Sequence, residues 1–169
     1  ENDRITAVLE GGLLVSLVDR RSGRDAIPDG DAGNLLQVFR DTPNQWDAWD
    51  LDVHYQRHGV DLRQPASVSM TDSGVRVEHA YGASTIVQTI TLAPGSAALD
   101  IATEVDWHER QKLLKLAFPL DVHADRAASE VQFGHVYRAT HTNTSWDAAR
   151  FETSAHRWVH VGEPGYGVA

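Results

Sequence analysis

The chain has 169 residues, no cysteine, 15 lysines and arginines against 24 aspartates and glutamates, and a formal net charge of −9 with histidine neutral. These counts exclude a disulfide framework, thiol catalysis and thiolate metal sites, and so acidic a surface makes nucleic acid and membrane lipid poor partners. Hydrophobic residues are 41% of the chain, enough for a core without metals or disulfides, and no run nears the ~18 apolar residues of a membrane span.

The only methionine is Met70, and the chain opens at Glu1 and closes on Gly165-Tyr166-Gly167-Val168-Ala169. The expectation is a segment of something longer, with its last strand cut short.

In chain order, Ile5 to Leu9, then Glu10-Gly11-Gly12, then Leu13 to Val18 read as a β-hairpin. Its second strand is apolar at almost every position, which predicts cover on both faces and hence a second layer. Thr42-Pro43 followed by Trp46, Trp49 and Val53 fits either a short helix, with a capping threonine and a proline at the first turn, or an ordered loop.

Strict alternation then marks four strands, because successive side chains on a strand point to opposite faces. They are Val75, Val77, His79, Tyr81; Ile86, Ile90, Leu92; Leu99, Ile101, Thr103, Val105, Trp107; and Leu114, Leu116, Phe118, Leu120, Val122. Asp72-Ser73-Gly74 and Pro94-Gly95-Ser96 supply hairpin turns, and His108 to Lys112 is a polar connection. Pro119 lacks a backbone donor, so the fourth strand belongs at an edge or carries a bulge. Asn143-Thr144-Ser145 before Trp146 to Arg150 is a second candidate helical turn. The predicted fold is all-β, a two-layer antiparallel β-sandwich forming one domain over residues 1–169.

The densest chemistry lies between Asp41 and Asp52, where four aspartates alternate with two indoles. Trp46 and Trp49 offer flat faces to a sugar ring while Asp47 and Asp50 accept hydroxyl hydrogen bonds. The same residues also suit tryptophans of a core or of an interface, with the aspartates forming turns. A glycosidase acid–base pair needs carboxyl separations of about 5 to 10 Å, which spacing in sequence does not give. His54 and His58, and His156 and His160, have i, i+4 spacing, but the residues between the first pair lack the glutamate of the zinc-protease motif. Neither a nucleophile elbow, a P-loop nor a dinucleotide fingerprint can be written from these residues. No catalytic and no metal-ligating residue is assigned.

Several motifs in order resemble the C-terminal β-domain of family 38 glycoside hydrolases, the α-mannosidases, of the bacterial and cytosolic type. They are Asp41 to Asp52, Phe133-Gly134-His135-Val136-Tyr137-Arg138-Ala139-Thr140-His141-Thr142-Asn143-Thr144, Ala149-Arg150-Phe151-Glu152, His156-Arg157-Trp158 and Gly165 to Ala169, with Glu1-Asn2-Asp3, Gly12 to Asp19 and Gly23-Arg24-Asp25 resembling the domain's start. Alanine at position 139 replaces an expected proline, and residues 159–164 depart from the usual run after the tryptophan.

The resemblance implies a galactose-mutarotase-like β-sandwich. It also implies a retaining, zinc-dependent parent enzyme that hydrolyses terminal α-D-mannosyl residues of a mannose-containing glycan. Zinc and the nucleophile would reside in another domain, so no cofactor is expected in this segment. Its partners would be the catalytic and helical domains of its own chain, and its setting the bacterial cytoplasm. The segment alone is expected to be inactive, a scaffold and cleft wall. The alternatives are a free-standing carbohydrate-binding module and a mutarotase-like aldose epimerase, the latter drawing a histidine acid from His79, His123 or His135 and a base from Glu104.

Overall fold

Gly11 and Gly12 hold φ angles of 56° and 88°, left-handed values that a two-residue hairpin turn demands of both central residues. Strand β1 (Ile5–Glu10) therefore folds straight back onto β2 (Leu13–Asp19). A Cβ on Gly12 would meet Val77 Cγ1 at 3.0 Å and Val68 Cγ2 at 3.1 Å, so the turn is pressed against a neighbouring layer and no larger residue fits. Every position of β2 is buried or half-buried, as its two-sided apolar sequence predicts.

The computed structural model describes residues 1–47 and 49–169. Contacts group them into two units, Glu1–Leu120 and Asp121–Ala169. The first continues with β3 (Arg24–Asp25), β4 (Leu35–Arg40), a 3-10 turn (Val53–Arg57), β5 (Gly59–Asp61), β6 (Ser67–Met70), β7 (Gly74–Tyr81), β8 (Ser84–Thr91), β9 (Asp100–Asp106) and β10 (Lys112–Ala117). Three antiparallel sheets result, in the orders β1-β2-β3, β10-β4-β5 and β6-β7-β8-β9.

Strand β8 shows why the layers meet. Ser84, Ile86, Gln88 and Ile90 are buried and the residues between them are only half-covered, the period-two pattern of a strand with one face on a core. Val77 and His79 of β7 lie on that same face, and Leu36 and Val38 of β4 are likewise buried. Gln88 sits in mid-core without cost because Asn34 meets it in a reciprocal amide pair, Asn34 Nδ2 donating at 2.9 Å and Gln88 Nε2 at 3.0 Å. Buried polar groups are tolerated when paired in this way.

Two readings of the alternation are refined. The chain leaves β9 for a different sheet, so β10 pairs with β4 and not with its predecessor. Strand β10 also stops at Ala117, two residues short of Pro119, and lies at a sheet edge as that proline requires. Strand β9 is an edge as well, which leaves Val105 48% exposed where the pattern alone suggests cover.

The second unit holds β11 (Arg126–Val131), β12 (Gly134–Ala139), a one-turn helix α1 (Ser145–Ala149), β13 (Val159–Glu163) and β14 (Tyr166–Val168), with strand order β12-β11-β13-β14. Among the described residues the architecture is all-β and antiparallel, a sandwich with no closed barrel. No helix among them is long and apolar enough to cross a membrane.

Candidate functional site: an exposed tryptophan loop

Residues 41–47 and 49–52 belong to a loop between β4 and the 3-10 turn, fastened at both ends. At its start, Asp41 N–H donates to the Gln111 carbonyl at 2.9 Å, extending the β4–β10 ladder by one rung. At its far end Tyr55 is buried, its ring edge-on to Phe39 at 5.1 Å and its hydroxyl accepting from Lys115 Nζ at 2.7 Å. Inside the loop, Asn44 N–H donates to Asp52 Oδ2 at 2.9 Å, closing the base of the excursion.

The tip is a turn around Trp46, whose carbonyl accepts from Trp49 N–H at 2.8 Å and Asp50 N–H at 3.0 Å. Trp46 holds φ at 60°, a left-handed conformation that bulky residues rarely adopt and that surrounding structure must enforce. Its side chain is 70% exposed and that of Trp49 is 91% exposed. These indoles are therefore not part of this chain's core, which leaves sugar contact and an interface as their readings. Asp47 and Asp50 are exposed beside them, and Asp50 Oδ1 accepts from Leu51 N–H at 2.9 Å. Ala48 lies outside the described residues.

The carboxylates do not behave alike. Asp41 is half-buried, and desolvation, reinforced by the negative charges of Asp47 and Asp52, pushes its carboxyl above its ordinary value. A carboxyl so placed holds its proton to a higher pH than it would in water. The loop presents two aromatic faces with the exposed carboxylates of Asp47 and Asp50 beside them, an arrangement matched to the C–H face and hydroxyls of a pyranose ring.

The histidines do not assemble a site. His54 lies within the 3-10 turn and His58 caps it, and at three residues per turn an i, i+4 pair diverges. His156 is in irregular chain while His160 is on β13. His160 leans instead over Gly162 and Gly167, where an added Cβ would meet its ring at 2.7 Å in both cases. His79 and Glu104 fall on opposite faces of their sheet, since His79 pairs with Ile86, which pairs with Val105, while Glu104 pairs with Val87. His123 and His135 belong to the other unit.

The sequence matches the glycosyl hydrolases family 38 C-terminal domain over residues 1–169. The chain belongs to that family. It is 42% identical over 165 residues to alpha-mannosidase 2C1 of Homo sapiens, covering 94% of this chain and 16% of that protein. It is 35% identical over 180 residues to alpha-mannosidase G of Dictyostelium discoideum, covering 100% and 17%, and 31% identical over 178 residues to an alpha-mannosidase of Saccharomyces cerevisiae, covering 98% and 16%. The chain thus spans about a sixth of the length of the curated relatives it matches.

Among the described residues no three His, Asp or Glu side chains gather as a metal would require. The anchors Tyr55, Phe39 and Lys115 are absent from the composition-based reading of the loop. Lys115 is 60 residues from Tyr55, and no local pattern joins them.

Proposed function

We propose that this chain is the C-terminal β-domain of a retaining, zinc-dependent α-mannosidase that hydrolyses terminal α-D-mannosyl residues in the bacterial cytoplasm. Residues 1–169 then act as one β-sandwich segment that packs on the catalytic and helical domains of the same longer chain. It is a scaffold and cleft wall without activity alone. The carrying observation is the family match along the whole chain, joined to relatives about six times as long that are named as α-mannosidases. Trp46, Asp47, Trp49 and Asp50 are the residues that meet the glycan, a role supported by the exposure of both indoles and the enforced left-handed turn beneath them. Zinc and the nucleophile belong to the remainder of the protein.

The test compares the full-length protein with the 169-residue chain on an aryl α-D-mannopyranoside. The full-length enzyme is expected to release α-mannose first, seen by proton NMR, and to lose turnover with a chelator, while the chain alone releases nothing. Turnover by the chelated 169-residue chain sinks the assignment. The same solutions address the binding-module alternative, which the exposed indoles favour: saturable mannoside binding by the chain, lost in Trp46→Ala or Trp49→Ala, supports it, and unchanged titrations remove it.

A further inference from the structure

The Glu1–Leu120 unit contains a concavity that shares no residue with the tryptophan loop. It encloses about 410 Å³ where the ends of β4, β5 and β10 come together, within the range of about 300–1,000 Å³ usual for small-molecule sites. Its apolar wall is Ala32 and Leu35, both buried, with Phe118 and Pro119 at the rim. Phe118 is 48% exposed. Pro119 follows it and cannot continue the ladder, so Phe118 lies just beyond the last residue of β10 and borders the concavity.

The polar lining is Asp31, Gln37, Asp61 and Arg63. Asp61 is held between two of the others, accepting from Gln37 Nε2 at 2.8 Å and lying 3.4 Å from Arg63 Nε. Its carboxylate is thereby fixed before any ligand arrives. Within the described residues, the side-chain amide oxygen of Gln37 and the terminal nitrogens of Arg63 make no hydrogen bond, and the Asp31 carboxylate has no ion-pair partner. The concavity thus offers an aromatic rim, two carboxylate acceptors, an amide that both donates and accepts, and a guanidinium fork.

Charge narrows the ligand. Two carboxylates against one guanidinium leave the lining negative, which disfavours phosphate or carboxylate groups, and the guanidinium beside Asp61 disfavours a metal cation. A neutral ring with one C–H face and several hydroxyls satisfies every feature at once. We propose that this concavity is a binding site for one neutral hexopyranose unit. Phe118 stacks on the ring, Asp31 and Asp61 accept hydroxyl hydrogens, and Gln37 and Arg63 donate to hydroxyl oxygens. This site is separate from the tryptophan loop, and it does not depend on which glycoside a longer protein hydrolyses.

Titration of the 169-residue chain with methyl α-D-mannopyranoside, followed in its backbone amide spectrum, tests the site. Saturable shifts are expected at residues 31–37, 61–63 and 117–118. Binding should weaken about ten-fold or more in Phe118→Ala and, separately, in Asp61→Asn. The second variant is nearly isosteric and guards against a folding defect in the first. Trp46→Ala should leave these shifts in place. Absence of saturable shifts there, shifts unaltered by both pocket substitutions, or loss of them in Trp46→Ala each overturns the proposal. Hydrolysis by the full-length protein is read in a different assay, so failure here leaves the α-mannosidase reading standing and the reverse holds too.

Discussion

The two units are held together by different chemistry. The Glu1–Leu120 unit has an apolar interior, with Leu36, Val38, Val77 and Ile86 all at 2% exposure or less. In the Asp121–Ala169 unit the buried residues are Ala128, Ser129 and Glu130, while Phe133, Tyr137 and Trp146 stand exposed. Polar bonds take over the work there. Glu130 Oε1 accepts from Arg157 Nη2 at 2.7 Å and Nε at 3.1 Å, and its Oε2 accepts from the Arg157 N–H at 2.9 Å. The flanking backbone follows, with Glu130 N–H donating to the Trp158 carbonyl and His156 N–H to the Glu130 carbonyl. Hydrophobic burial is non-directional and insensitive to charge, whereas a carboxylate clamp depends on its protonation state. The units should therefore fail under different insults.

The largest effect is expected in the apolar unit. Ile86→Ala removes a side chain of zero exposure and should lower stability by about 2–5 kcal/mol, measured by urea unfolding. Amide protection in β7 to β9 should fall most. A cost below the lower end of that range would mean that the layers relax around the cavity and that the core is looser than the burial indicates.

Next comes the amide pair within that core. Gln88→Leu keeps the volume but strands the Asn34 amide, which should cost about 1–3 kcal/mol. The double variant Asn34→Gly with Gln88→Leu should recover part of the loss, because neither amide is then left unpaired and glycine suits the φ of 54° at residue 34. A double variant no better than the single one would show that the pair fixes the layer register and does more than satisfy itself.

Acid separates the units by window. His79 is 3% exposed, its Nδ1 has no partner, and desolvation holds its imidazole below its ordinary value. Below that ordinary value the unfolded chain binds a proton that the folded chain refuses, so the Glu1–Leu120 unit should lose stability as pH falls from the ordinary histidine range toward the depressed one. Glu130 behaves in the opposite range. The Arg157 hydrogen bonds hold its carboxyl below the usual carboxylate value, so its contribution is present above that value and lost as pH falls through the depressed one. Hydrogen exchange across a pH series should show β7 and β8 loosening first and β11 with residues 156–158 later. His79→Leu should abolish the first step and Glu130→Gln should reduce the second at β11 and residues 156–158, where Asp147 also contributes to the unit's acid response, and loosening of β7, β8 and β11 in a single common step would contradict the separation.

How much of this was legible in the sequence depends on range. Period-two alternation exposes β7 to β9 because one face of each pairs with neighbours along a regular ladder. Gln88 breaks the apolar pattern of β8, and its partner is 54 residues away, beyond any local signal. Strands β11 and β12 carry no alternation to read: Ala128, Ser129 and Glu130 are buried in succession, and three of the six residues after Phe133 are polar or glycine. At the tryptophan loop, composition points to sugar chemistry while also suiting a core or an interface. Only the fold removes the core, by anchoring Asp41 and Tyr55 and leaving the indoles outside.

The smallest effect tests whether polar bonds in the second unit act locally or in concert. Thr144 caps α1 reciprocally, its Oγ1 accepting from Asp147 N–H at 3.1 Å and donating to Asp147 Oδ2 at 2.6 Å, while Arg150 Nη2 binds the other carboxylate oxygen at 2.9 Å. A five-residue helix has too few internal hydrogen bonds to persist unaided, so its order rests on this cap. Thr144→Ala should cost about 1 kcal/mol and raise amide exchange over residues 145–150, with Thr144→Ser restoring both. If exchange also rises across β11 and β13, the cap is coupled to the Glu130 clamp and the unit yields as one piece. Confined to residues 145–150, the change shows that each polar bond in this unit holds only its own segment.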